Sequence, residues 1–176
     1  MNLQFLYLLM TSLENKLKNP VWYSLNETHK KFIITYDGVR FYHPDICTFG
    51  SFTDVNKTAK ALNEYSKLSK NFFLVSENEI PLIDLNCVFL EKKIEGCQMV
   101  LDNLVDVKIT EKIIPLTNEY TDEIHELIWL VMPGYYQKKS FHMGDFFGII
   151  KDQKLVSISC FATTKFFGSY GGYDVI

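Results

Sequence analysis

The sequence predicts an α+β fold: a mixed, mostly antiparallel sheet with flanking helices. Two hairpin patterns, around Asp37-Gly38 and around Lys151 to Lys154, join runs rich in β-branched and aromatic residues. Two stretches, 55–70 and 118–131, repeat apolar residues at helical spacing. These elements alternate along 176 residues, a length that holds one full core or two small lobes. The expected organisation is two lobes, 1–105 and 106–176.

The elements follow in order. Met1 to Met10 is apolar but has no basic start, and Met10 offers a second initiation point. Residues 1–9 read either as a start assigned too early or as a loosely attached helix. Asn19-Pro20-Val21-Trp22 lies within one or two short helices over 11–30, with Pro20 as a boundary or a fresh helix start. Lys31 to Tyr36 is a strand, Asp37-Gly38 its turn, and Val39 to Tyr42 the returning strand. Pro44 and Gly50 bracket a loop. Over 55–70, Val55, Ala59, Leu62, Tyr65 and Leu68 form a helical stripe that Asp54 caps. Phe72 to Val75 and Cys97 to Leu101 are strands, while Ile80 to Leu85 and Cys87 to Leu90 are apolar without a clear period. A new unit opens with a strand at Val107 to Thr110, and Pro115 ends that segment. The second helix carries Tyr120, Ile124, Leu127, Ile128 and Val131 on one face. Asn118 caps it, Asp122 and Glu123 favour its start, and Pro133-Gly134 stops it. In the second hairpin Val156, Ile158 and Cys160 share a face. No long element is expected in the glycine-rich tail, 166–176.

Composition narrows the function. The formal net charge is −3 and the pI near 5.8, which argues against nucleic acid as a partner. No apolar run reaches the roughly 18 residues of a membrane span. Arg occurs once, at Arg40, among many Lys, Asn, Ile, Phe and Tyr residues, a bias of AT-rich coding sequence. Cys47, Cys87, Cys97 and Cys160 form no CxxC pair, so reduced thiols in a cytoplasmic protein are expected.

Four patterns touch on chemistry. His125-Glu126 lacks the second histidine of a zinc helix, because position 129 is Trp129, and reads as a surface His beside acids. His43, Asp45 and Cys47 alternate and on a strand would share a face able to hold a metal or activate a thiol; Pro44 favours a loop-anchoring role instead. Gly168 to Gly172 has the glycines of a phosphate cradle but no helix after it. Tyr135-Tyr136 with Lys138-Lys139 reads either as an aromatic and basic ligand loop or as an apolar plug beside a solvated Lys pair. None of these supplies a nucleophile–base pair or a complete cofactor loop.

The text from Ile114-Pro115-Leu116-Thr117 through Leu127 to Val131, Met132-Pro133-Gly134-Tyr135-Tyr136, Met143 to Ile149 and Lys154 to Ser159 resembles the first half of a GNAT-type N-acetyltransferase domain of the bacterial two-lobed kind. Asn19-Pro20-Val21-Trp22, Ser24-Leu25, Phe41-Tyr42-His43-Pro44 and Cys97 to Leu101 resemble the N-terminal lobe of the same proteins, so the resemblance spans about residues 15–160. It implies transfer of an acetyl group from acetyl-CoA, as cosubstrate, to the amine of a small molecule or peptide. It places Tyr135 and Tyr136 in the substrate cleft, within the loop from Pro133.

Beyond Ser159 the text departs from the family. Lys165 to Tyr170 only partly matches the [Gln/Arg]-x-x-Gly-x-[Gly/Ala] loop that binds the pyrophosphate, so no cofactor-binding or catalytic residue carries over. The expectation is an acetyltransferase domain truncated near residue 160, weak or inactive, with an unpaired sheet edge at which Phe146, Ile149, Val156 and Ile158 lose partners. Such a chain would self-associate through that edge. Two rival readings are a non-catalytic interaction module using the open edge and a metal or thiol site at His43, Asp45 and Cys47.

Overall fold

A computed structural model describes residues 15–77, 88–96, 105, 108–161 and 172–175. The chain divides into two units. One draws on Met1–Pro44 and Thr48–Val100, the other on Asp45–Cys47 and Leu101–Ile176. Each has its own four-stranded sheet.

In the first unit helix α1, Pro20–Asn26, begins as Pro20 suggested. Pro20 sits in the first turn, where its missing N–H is no loss, and Asn19 caps the helix by accepting from the Trp22 amide at 3.3 Å. Strands β1, Ile33–Tyr36, and β2, Val39–Tyr42, pair antiparallel across Asp37-Gly38. Lys30–Phe32 is a short 3-10 turn, so the first strand starts later than its sequence suggested. Gly38 has φ +73° while Asp37 stays negative, the pattern of a type II turn with glycine in its second central place. Strand β3, Phe49–Phe52, joins β2 antiparallel, and β4, Phe73–Val75, joins β3 parallel.

The parallel step is spanned by helix α2, Thr58–Tyr65, which a 3-10 turn at Val55–Lys57 precedes. Asp54 does cap, but it caps that turn, accepting from the Asn56 amide at 3.0 Å. The extra turn rotates the buried face to Thr58, Ala61, Leu62 and Tyr65, leaving Leu68 exposed. Val39, Phe41, Phe52, Ala61, Leu62 and Tyr65 form the core. Phe41 and Tyr65 stack at 3.9 Å, and Phe72 packs edge-on to both. Gly50 lies where a Cβ would fall 2.2 Å from the Phe41 ring, so the ring needs glycine there.

The second sheet is antiparallel throughout, in the order β5, Ile113–Leu116; β6, Asp145–Lys151; β7, Lys154–Phe161; β8, Gly172–Val175. The opening strand is β5 and not Val107 to Thr110: of that stretch 108–110 has no regular structure. Pro115 lies inside β5 instead of ending it. An edge strand tolerates a residue without an N–H, and β5 is such an edge. The expectation of an unpaired edge on β7 is also corrected. Ile158 to Phe161 pair with Gly172 to Val175, and both Phe146 and Ile158 are buried.

The β6–β7 turn is the two-residue Asp152-Gln153, with φ of 49° and 61°, so Lys151 and Lys154 belong to the strands. The register skips Val156, which stands as an extra residue opposite the Ile149–Ile150 step. This bulge reverses the alternation. Leu155 packs on the core with Ile158 and Cys160, and Val156 turns out, 45% exposed.

Helix α3, Thr121–Val131, covers the sheet after a 3-10 turn at Asn118–Tyr120. The cap is shifted too: Asn118 lies within that turn, and its carbonyl accepts from the Thr121 hydroxyl at 2.7 Å. Ile124 and Ile128 are buried in a core with Leu116, Tyr136, Phe146 and Ile158, while Val131 is half exposed. The strands expected at Cys97 to Leu101, the stretch Ile80 to Leu85 and the glycines Gly168 and Gly171 lie outside the described residues.

Candidate functional site

The loop that ends α3 holds the two tyrosines singled out by sequence. Met132 closes the helix, its amide bonding the Ile128 carbonyl at 2.7 Å, and the chain turns through Pro133-Gly134. Tyr135 is half-buried and Tyr136 buried. A 3-10 turn, Lys138–Met143, then returns the chain to β6. A reciprocal cap between Gln137 and Ser140 fixes its start, and the Ser140 hydroxyl donates to the Ile46 carbonyl.

Tyr136 sits among aromatic rings. Phe146 meets it edge-on at 6.1 Å, and the His125 ring lies 6.2 Å away. His125 and Trp129 are one helical turn apart on α3 and stack at 5.2 Å. The Trp129 indole N–H donates to the Tyr136 carbonyl at 2.8 Å, tying the loop to the helix. Phe141 stacks on Phe146 at 5.2 Å. The Tyr136 hydroxyl, though buried, has no hydrogen-bond partner among the described residues.

Burial, with a smaller contribution from the nearby Cys160, raises the Tyr136 phenol well above its ordinary value. Burial also pushes the Cys160 thiol up to about 12, with the Asp145 charge adding to it. Both groups are therefore neutral at physiological pH, and Cys160 is a poor nucleophile. Beside this cluster, a cleft of about 370 Å³ is lined by Leu116, Asn118, Phe141, Asp145 and Phe147 among others.

The two lysines of the loop are paired. Lys138 meets Asp122 at 2.6 Å and holds its carboxyl below the usual range, first by the hydrogen bond and then by charge. Lys139 meets Asp45 at 2.7 Å. The loop thus joins features of both sequence readings. Tyr136 fills the core as a plug would, while Tyr135 is partly open.

The other candidates are not brought into sites. His43 and Asp45 are exposed and Cys47 is buried, in a turn where no strand aligns them. Among the described residues no group of His, Cys, Asp and Glu side chains could hold a metal ion. His125 is committed to its Trp129 stack.

Sequence reasoning missed a buried polar node in the first unit. His29 Nδ1 lies 2.9 Å from the Ser24 hydroxyl and 2.8 Å from that of Tyr42, and Tyr42 donates to Ser24 at 3.1 Å. All three are buried, so the node ties α1 to β2 instead of presenting Ser24 to solvent. Positions 24, 29 and 42 follow no local spacing, so no motif could have found it.

No protein-family model matches the chain, and no curated protein matches it. A search of solved structures finds a chain assigned to the GNAT family of acetyltransferases, from Novosphingobium aromaticivorans DSM 12444. The superposition has a TM-score of 0.55 at 16% identity and covers 84% of this chain and 65% of that one. At that identity the likeness is one of architecture: the chain has a GNAT-like α+β fold.

Proposed function

We propose that the chain is a GNAT-type N-acetyltransferase, passing an acetyl group from acetyl-CoA to an amine of a small molecule or peptide. The observation that supports this is the fold shared with an acetyltransferase across 84% of the chain. In the reaction a deprotonated amine nitrogen attacks the thioester carbonyl carbon. A C–N bond forms, the C–S bond breaks, the electron pair leaves with the coenzyme A sulfur, and the amine gives up a proton. Donors aimed at the carbonyl oxygen stabilise the charge that develops there. On this reading Tyr135 and Tyr136 contact substrate from the loop that ends α3. The setting is cytoplasmic, with neither nucleic acid nor membrane as partner.

Calorimetric titration with acetyl-CoA tests the proposal. Because Lys165 to Tyr170 departs from the family's loop pattern, saturable binding weaker than micromolar is expected. It should be accompanied by thiol release when a panel of amines is added. No binding at millimolar acetyl-CoA would end the proposal.

A second reading is an interaction module that associates through a sheet edge. Ile113, half exposed on the edge strand β5, favours it. A monomer at all concentrations in analytical ultracentrifugation would exclude self-association.

A further inference from the structure

The cleft in the second unit combines aromatic walls with a carboxylate that has no cation. It opens where β5 finishes at Leu116 and β6 begins at Asp145. Its volume of about 370 Å³ falls within the range of small-molecule sites. Asn118, from the turn before α3, and Phe141, from the turn before β6, line it together with Phe147. Phe141 is held by its stack on Phe146 at 5.2 Å, and Phe147 lies opposite Pro115 in the register of the two strands. Both rings are half-buried, so each keeps surface to offer a ligand.

Asp145 is exposed, and its carboxylate has no hydrogen bond or ion pair among the described residues. Lys138, Lys139 and Lys151 flank it in sequence, but each meets another carboxylate: Asp122, Asp45 and Glu111. The cleft of the first unit differs. There Glu77 meets Lys18 at 3.4 Å, and Asp54 accepts from the Asn56 amide. A carboxylate without a counter-ion repels anions and attracts cations, and the faces of aromatic rings favour cations too. A bare metal ion needs several oxygen ligands, and no such group stands among the described residues. The apolar walls suit a ligand that also brings hydrocarbon.

We infer that this cleft binds an organic cation, an ammonium carried on a compact apolar body, with the charge at Asp145 and the body against Phe141 and Phe147. The inference does not rest on acetyl transfer. Ion pairing keeps an ammonium protonated, so a nitrogen held at Asp145 is not the nucleophile of that reaction.

Calorimetric titration of the whole chain, with acetyl-CoA absent, tests this. Benzylammonium is the probe, with benzyl alcohol and benzoate as its neutral and anionic counterparts. Benzylammonium should bind saturably in the millimolar range, about tenfold more tightly than benzyl alcohol, and benzoate should not bind. Asp145→Asn should lose that tenfold and keep its affinity for the alcohol. Asp152→Asn, which removes an exposed carboxylate at the β6–β7 turn, should lose nothing. Equal binding of the ammonium and the alcohol overturns the inference, as does an unchanged affinity in Asp145→Asn or an equal loss in Asp152→Asn. Absence of saturable benzylammonium binding at tens of millimolar overturns it as well. Should Asp145→Asn fail to fold, the ratio of ammonium to alcohol affinity in the wild type decides, since it needs no variant. The acetyl-transfer reading stands or falls separately, on acetyl-CoA binding.

Discussion

Each unit leaves one buried hydroxyl without a partner among the described residues, but the two lie in different places. In the first, Ser51 is fully buried and its hydroxyl faces two acceptors, Asn19 Oδ1 and the Val75 carbonyl. Ser24, His29 and Tyr42 satisfy one another, and Tyr65 donates to the Tyr42 carbonyl at 2.9 Å. The exception there is Thr28, on a half-buried loop residue. In the second unit the unpaired hydroxyl belongs to a core residue, Tyr136, at the end of the helix that covers the sheet. A satisfied network rigidifies a fold, whereas an unsatisfied group within a core points to a role outside folding. The difference is that Thr28 lies on a loop, whereas Tyr136 lies in the second core, where packing accounts for the ring but not for the oxygen.

The largest effect expected is in the first core. Tyr65→Ala removes the ring stacked on Phe41 and the donor to the Tyr42 carbonyl. It should cost about 4 kcal/mol, as large aromatic deletions in cores do. Denaturant unfolding measures this. A loss below about 1 kcal/mol would break the view of the first unit as a tightly packed scaffold.

How much of this was readable beforehand follows the range of the interactions. The hairpins at Asp37-Gly38 and near Asp152-Gln153 were legible because turn chemistry and alternation are local. The stripe of α3 was legible because Ile124 and Ile128 recur at helical spacing. The bulge at Val156 was not, since alternation assumes an unbroken register that only the partner strand β6 can interrupt. Pro115 read as a terminator because its tolerance depends on β5 lying at the edge, a fact of the whole sheet. Strand β8 hid in a glycine-rich tail whose Tyr173 and Val175 gain a partner only through β7. The Tyr135-Tyr136 pair could be singled out from sequence. Which of the two would be buried, and with an unpaired oxygen, is decided by Phe146, Trp129 and Cys160.

The next effect is confined to alkaline pH and to the second unit. Burial, then the Asp145 charge, raises the Cys160 thiol from 9.0 to about 12 in the folded chain. The unfolded chain therefore releases this proton first, and between about pH 9 and 12 it binds fewer protons than the folded chain. By linkage, the stabilisation is present in full below pH 9 and is lost as pH rises through that window, at up to about 1.4 kcal/mol per pH unit. The raised Tyr136 phenol acts in the same direction. Cys160→Ala should therefore flatten the alkaline fall, as denaturant unfolding at pH 8 and pH 10.5 would show. Identical falls in both proteins would mean that the thiol is not buried as described.

The two smallest effects turn the comparison between the units into a difference of sign. Ser51→Ala and Tyr136→Phe each delete one buried hydroxyl and little else. In the first unit the deletion strands two acceptors, Asn19 Oδ1 and the Val75 carbonyl, and should cost about 1–2 kcal/mol. In the second it strands nothing among the described residues, and the gain from removing an unpaired hydroxyl should be about 1 kcal/mol. Burial alone predicts the same sign for both, because both oxygens lie away from solvent. Opposite signs would mean that partners, and not burial, set the value of a hydroxyl in this chain. A loss for both would place Tyr136 with Ser51 as a scaffold residue, and the search for a ligand contact would then move to the half-buried Tyr135 beside it.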